Sequence, residues 1–369
     1  MLPALRTDRL SLADVLPSCL SALRGESNSL GLPPVRASVV LLVDGLGASS
    51  LTARAGHART LSAAYAAMDS GFPTTTASAL ATLSTGVRPG QHAMFGYAVL
   101  DPAQNRVINQ LSGWEGIDPS SWQTQPTVFE RAQTGGFRTA FVAPHRYKDS
   151  PFTRAVLRGA DFVAGATLAD RFAAVTTLLA TPGAPQLIYV YANELDKVAH
   201  AHGCESELFT ATLERIDGAV RDFIIPAEVG VIITGDHGVI DVAAHNHILF
   251  DSSPELMAGI AHVGGEPRCL QLYFAPGAGR AATVEAWRAS EESRSWVVTR
   301  EEAIAAGWFG PVREEVAGRI GDLIVAARKS IAYYSTTASA RSRAMVGQHG
   351  SWSTAELQVP LITLGAFRR

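Results

Sequence analysis

The sequence predicts an α/β protein, a three-layer α/β/α sandwich carrying a small α+β cap. Short continuous apolar runs such as Val39–Val43 and Val229–Thr234 suit strands covered on both faces. These runs alternate with helical segments along most of the chain, the pattern of a layered α/β core. Between His247 and Ile320 the alternation changes character. The core is therefore assigned to residues 1–247 and 321–369, and the cap subdomain, placed over the site, to residues 248–320.

Taken in order, residues 1–36 read as an amphipathic segment broken at Pro17 and a loop through Gly31-Leu32-Pro33-Pro34. Val39–Val43 is the first strand, and Asp44 follows its C-terminal end, the edge where open α/β sheets bind ligands. Ala48–Ala67 reads as a helix. Gly71-Phe72-Pro73 turns into three threonines, and Ala77–Leu83 propagates as a helix, so a hydroxyl stands at a helix start among unpaired N–H groups. Val99–Leu111 alternates and turns like a hairpin. Thr127–Gly135 is a helix opened by a Thr127/Glu130 capping box, followed by strand Thr139–Ala143 and a polar segment, Pro144–Thr153. Helix Leu168–Ala180, strand Leu187–Tyr191, a long helix Glu205–Phe223 and strand Val229–Thr234 come next. The insert contributes Leu270–Phe274, Ala281–Ala289, Trp296–Thr299 and Arg300–Ala306 as strand, helix, strand, helix; Gly321–Ala327 and Leu361–Leu364 then complete the core sheet.

The 369 residues are 47% hydrophobic and 18% charged, with a formal net charge of −3, as in a soluble globular protein. No basic run supports a nucleic-acid polymer or a membrane surface as partner. Cys19, Cys204 and Cys269 are far apart with no CxxC pair, which fits reduced thiols in a cytoplasmic protein. Arg6, Asp8, Arg9 and Asp14 interrupt what a signal peptide would keep apolar, and no stretch approaches the about 18 apolar residues of a span.

The chemistry-bearing residues follow strand ends. Asp196 and His200 are one helical turn apart and can hold one cation from the same face, although a solvated ion pair explains such a pair equally well. Asp236-His237, between Gly235 and Gly238 after a strand, is a stronger signal, because two adjacent ligating side chains converge only at an irregular strand end. His349, beside Gly350, reads by itself as a satisfied loop histidine, and Thr76 by itself as a plain helix cap. Together with Asp44 they offer three carboxylates, three imidazoles and a hydroxyl. That set divides into two three-ligand sites for divalent metals, zinc first, with manganese or iron as alternatives and no thiolate ligand.

The segment GFPTTT, the Asp44-Gly45 strand end, Asp196 with His200 and Gly203, Asp236-His237-Gly238 and the segment GQHGS resemble motifs of the alkaline phosphatase superfamily and follow its chain order. The match is nearest to its nucleotide pyrophosphatase/phosphodiesterase branch and spans most of residues 36–365. The resemblance implies an alkaline phosphatase-like core sheet, one metal held by Asp44, Asp236 and His237, and a second held by Asp196, His200 and His349. It also implies Thr76 as the nucleophile, coordinated to the first metal. The substrate expected on this ground is a small phosphorylated molecule, with nucleotides among the candidates. Three departures bear on substrate choice: Ser78-Ala79 stands where the family has ProAsn, His92-Ala93 where it has HisGly, and Tyr97 aligns with a phosphate-contacting asparagine. Tyr97, His145 and Arg146 are the candidate substrate contacts, with Tyr147 and Lys148 in the same loop; His245 and His247 fall near the site, and His202 at its periphery or on the surface. The leading expectation is a phosphodiesterase or nucleotide pyrophosphatase. Its alternatives are a phosphonoacetate hydrolase-like or phosphomonoesterase activity and a non-catalytic binder of phosphoryl ligands. The sulfatase motif CysxProSerArg is absent.

Overall fold

In a computed structural model, residues 2–6 and 8–368 are described. Seven strands form the central sheet in the order Ala66–Asp69, Gln358–Gly365, Val229–Thr234, Ala37–Val43, Gln186–Ala192, Arg138–Ala143 and Asp161–Ala164. Gln358–Gly365 runs antiparallel to both neighbours, and the other pairings are parallel. Ala37–Val43 lies at the centre and is buried along its whole length.

Strand alternation sends its side chains to two cores. Val39, Leu41 and Val43 join Val175 and Leu179 of helix Leu168–Ala180 and Phe209, Leu213 and Ile216 of helix Glu207–Asp222. Val40 and Leu42 join Leu12, Leu16 and Leu20 of helix Leu12–Arg24 and Phe129 of helix Val128–Thr134. Helices thus cover both faces, and the three-layer α/β/α sandwich read from the sequence is present. Burying each such aliphatic side chain contributes about 1.5–3 kcal/mol, which holds the layers together.

The register aligns the strand ends that carry the chemistry. Val43 pairs with Ala192 and Leu42 with Thr234, so Asp44, Asn193 and Gly235-Asp236 leave the sheet side by side. The sheet edge, more than any single loop, assembles the site.

Several expectations need correction. Helix Leu12–Arg24 runs through Pro17 without breaking, because its buried face of Leu12, Val15, Leu16, Cys19 and Leu20 outweighs one lost backbone hydrogen bond. The helix expected over Ala48–Ala67 stops at Ala53; the guanidinium of Arg54 bonds the Cys204 carbonyl and Glu205, and the chain then turns to supply the edge strand Ala66–Asp69. Leu323–Ala327 does not enter the core sheet. It is an inner strand of a four-stranded antiparallel sheet ordered Ile260–Glu266, Cys269–Phe274, Leu323–Ala327, Ser295–Thr299, so the insert's sheet extends beyond residue 320. A continuous apolar run suits an inner strand of either sheet, and its sequence does not choose between them.

The insert is welded to the body. Leu323, Val325, Leu270 and Leu272 pack with Trp287 of helix Ala281–Glu291, whereas Ile324, Ala326, Val298 and Cys269 face the main core. Among the described residues, no helix is long and apolar enough to cross a membrane.

Candidate metal centre and nucleophile

Asp44, Asp236 and His237 place one ligand atom each within 4.8 Å of one another, and so do Asp196, His237 and His349. His237 belongs to both trios. Gly45, with φ 78°, lets the first strand end pass the helix Glu194–His202 closely: a Cβ there would stand 3.1 Å from the Asp196 Cα. The backbone N–H of Asp196 donates to the Asp44 carbonyl at 3.1 Å, fixing the two carboxylate-bearing segments against each other.

Each carboxylate is half satisfied. Asp236 Oδ1 accepts from the N–H of Gly45 (3.0 Å) and of His237 (3.1 Å), and Asp44 Oδ2 accepts from the Tyr191 hydroxyl. Asp44 Oδ1, Asp236 Oδ2 and Asp196 Oδ1 are buried without a hydrogen-bond partner. Burial, reinforced by the negative charges of Asp236 and Asp196, pushes the Asp44 carboxyl well above the usual range. Among the described residues, no lysine or arginine forms an ion pair with these three aspartates; the ion pairs of Asp44, Asp196 and Asp236 are all with imidazoles. Three converging, buried, unbalanced carboxylates are what a cation would stabilise.

The imidazoles are oriented to match. Nδ1 of His200 bonds the Gly347 carbonyl (2.8 Å), Nδ1 of His349 the Thr74 carbonyl (2.9 Å) and Nδ1 of His237 the Gly238 carbonyl (3.3 Å). A carbonyl only accepts, so each Nδ1 carries the proton and each Nε2 keeps a lone pair for a ligand, the arrangement common behind metal-bound histidines. Burial, with His237 and His200 nearby, holds His349 well below the usual imidazole value and therefore neutral. The His237 and His349 rings stack at 3.7 Å. His200 stands slightly apart: its Nε2 is 3.3 Å from Asp196 Oδ2, and its ring centroid is 5.2 Å from that of His349. The chemistry of both trios suits a divalent cation, but they share His237, and His200, expected in the second trio, lies outside it.

Thr75 caps the helix Thr76–Thr85, and Thr76 is its first helical residue, half-buried, with Oγ1 3.2 Å from His237 Nε2. Thr76 also lines a cavity of about 240 Å³ walled by Leu80, Phe141, Arg146, Tyr147, Phe152, Tyr189 and Tyr191, among others. Arg146 reaches it; His145 and Tyr97, the latter 41% exposed, do not line it. No residue of the insert lines this cavity.

Three features were not read from the sequence. The Asn193 side-chain oxygen accepts from the Tyr147 hydroxyl (2.5 Å), Arg146 Nη2 (2.7 Å) and Lys197 Nζ (3.2 Å), the amide orientation that satisfies all three donors. Tyr191 braces Asp44. Glu266, from the insert, is buried without a hydrogen-bond partner at either oxygen, packed so closely on Gly350 that a Cβ there would stand 2.6 Å from its Cγ. The position of Asn193 at a strand end was the only local signal for any of them.

The family of type I phosphodiesterases / nucleotide pyrophosphatases matches residues 38–352, and the chain belongs to it. An uncharacterised pyrophosphatase/phosphodiesterase of Schizosaccharomyces pombe is 24% identical over 207 residues, spanning 52% of this chain and 41% of that protein. Among solved structures, murine ectonucleotide pyrophosphatase / phosphodiesterase 5 superposes with a TM-score of 0.67 at 16% identity, covering 88% of this chain and 87% of that one. A phosphonoacetate hydrolase from Sinorhizobium meliloti, bound to phosphonoacetate, gives 0.67 at 18% identity over 90% and 91% of the two chains. An inactive threonine-to-alanine form of the murine protein is in complex with AMP, with a TM-score of 0.66 at 15% identity and coverage of 88% and 87%.

Proposed function

We propose that this chain is a metal-dependent hydrolase of phosphodiester or nucleotide pyrophosphate bonds that uses Thr76 as its nucleophile. The observation that carries the reading is the position of Thr76, between the orphaned carboxylate oxygens and an aromatic cavity sized for an organic group. Asp44, Asp236 and His237 would hold one cation and Asp196, His200 and His349 the other, with zinc, manganese and iron as the candidates. Bound there, the cations would favour the alkoxide of Thr76 and neutralise charge on the phosphoryl oxygens.

The remaining work belongs to the chain's own residues. Thr76 Oγ1 forms the new bond to phosphorus as the leaving oxygen departs opposite it, and water then breaks the Oγ1–P bond to restore the hydroxyl. Phe141, Phe152, Tyr189 and Tyr191 offer apolar surface to the group carried by the transferred phosphoryl, and Arg146 offers charge at the rim. Arg146 also favours a second reading, cleavage of a carboxylate-bearing phosphonate, since a guanidinium binds a carboxylate bidentately. The three cysteines are free and buried, in keeping with the cytoplasmic location included in this reading.

The test is hydrolysis of a bis-nitrophenyl phosphodiester, the nitrophenyl monoester and phosphonoacetate, each with added zinc or manganese and with chelator. Faster, chelator-sensitive release from the diester supports the leading reading. Preferred release from the monoester or from phosphonoacetate contradicts it in favour of the corresponding alternative.

A further inference from the structure

We propose that Thr74 is a positioning residue whose hydroxyl sets where His349 stands relative to Thr76; the inference rests on the reading of Thr76 as nucleophile and His349 as metal ligand. Of the three consecutive threonines, Thr75 caps the helix Thr76–Thr85 and Thr76 opens it, which leaves Thr74 without a task. Its surroundings supply one. Thr74 is 0% exposed and bonds three consecutive residues of the late loop. Its carbonyl accepts from Nδ1–H of His349 (2.9 Å), while its hydroxyl accepts from the Gly350 N–H (3.0 Å) and donates to the Ser351 carbonyl (2.8 Å). One hydroxyl proton and a free lone pair match that donor and that acceptor. Gly350 and Ser351 are buried, so water does not readily replace a lost partner.

Both ends of this pin are themselves held. Ser351 gives its N–H to Glu356 Oε1 (3.0 Å) and its hydroxyl to the Ala327 carbonyl (2.6 Å). On the other side, the Phe72 ring stacks on Trp352 at 4.5 Å and 9°, and the Ser70 N–H donates to the Leu357 carbonyl at 2.9 Å. The chain from Ser70 to Thr74 is thus fastened to the late loop, and the helix carrying Thr76 starts just beyond the last fastening. The contacts then close on themselves. Thr76 Oγ1 meets His237 Nε2 at 3.2 Å, the His237 ring stacks on that of His349, and His349 returns through Nδ1 to Thr74.

Within this ring Thr74 is neither the nucleophile nor an assigned ligand, so its hydroxyl is the fastening that can be removed while the reacting groups stay. Its loss deprives the Gly350 N–H and the Ser351 carbonyl of a partner, and the loop shifts until they find others. His349, next in the chain, shifts with them and presents Nε2 in a different direction. Partners that orient a metal-binding imidazole are typically worth about ten- to a hundredfold in affinity or activity.

The test compares wild type with Thr74→Val, which keeps the shape but not the hydroxyl, and Thr74→Ser, which keeps the hydroxyl; Thr74→Ala replaces the valine variant if that does not fold. Zinc affinity, read by competition with a chelator, should weaken about ten- to a hundredfold in Thr74→Val and largely recover in Thr74→Ser. On a nitrophenyl phosphodiester, kcat of the metal-loaded protein should fall by a similar factor with KM little changed. A second readout needs no metal. With nitrogen-labelled histidine, the Nδ1–H signal of His349, assigned by its absence in His349→Gln, should be protected from exchange in wild type and Thr74→Ser and unprotected in Thr74→Val. A Thr74 that only supports the fold would lower the urea midpoint and leave zinc affinity, kcat and this signal at wild-type values, which would overturn the proposal. Wild type that binds no zinc and turns over no diester sinks the nucleophile and metal reading instead. The histidine signal then decides Thr74 by itself: protection lost in Thr74→Val upholds the pin, and protection unchanged, or absent in wild type, overturns it.

Discussion

Glu266 shows how a single buried carboxyl can set the chain's response to pH. Burial pushes it up to about 8. The folded chain therefore keeps a proton that the unfolded chain releases above about 4.5, the ordinary glutamate value. The sign follows: this residue's contribution is least unfavourable at low pH, and stability declines as pH rises from about 4.5 towards about 8. Glu266→Gln keeps the shape and removes the proton. Urea unfolding at pH 5 and pH 8 should find the variant gaining on wild type by on the order of 3 kcal/mol at the higher pH. Parallel profiles would mean that Glu266 titrates normally. Nothing local in the sequence singles Glu266 out, because Gly350, packed against it, is distant in the chain. Asp44, Thr76, Asp196, Asp236 and His237 were legible by contrast, since each sits just past a strand end or at a helix start.

At the scale of elements, the joint between insert and core depends on Arg268, in the turn between strands Ile260–Glu266 and Cys269–Phe274. Its guanidinium grips Glu356 through two bonds of 2.7 and 2.8 Å and also donates to the Lys329 and Ile331 carbonyls; both side chains of the pair are fully buried. Glu356 in turn accepts from the Ser351 N–H at 3.0 Å, two residues past His349. Arg268→Leu leaves an uncompensated buried carboxylate and should cost about 3–5 kcal/mol in urea unfolding. A loss below about 1 kcal/mol, typical of an exposed pair, would mean that the joint is wet. The sequence located the strands and helices of the insert well, from Ala281 through Ala305, because their periodicity is local. It misassigned Leu323–Ala327, since pairing between remote strands leaves no mark on an apolar run.

Across the whole molecule, the parallel register of three central strands delivers Asp44, Asp196 and Asp236 to one sheet edge, and the late loop around His349 closes the cluster from the other end of the chain. That layout was readable because strand order in open α/β sheets puts ligands at C-terminal edges. The contacts of Asn193 with Arg146 and Tyr147 were not, because they arise where segments far apart in sequence meet. The central claim is that Thr76 performs the chemistry while the aspartates and histidines hold the metals. It is tested most directly by measuring turnover of a nitrophenyl phosphodiester and bound metal together in wild type and Thr76→Ala. The account predicts turnover lowered by about a thousandfold or more, some 4 kcal/mol of lost stabilisation, with metal content retained. Thr76→Ala protein that keeps its metal and turns over at the wild-type rate would contradict it.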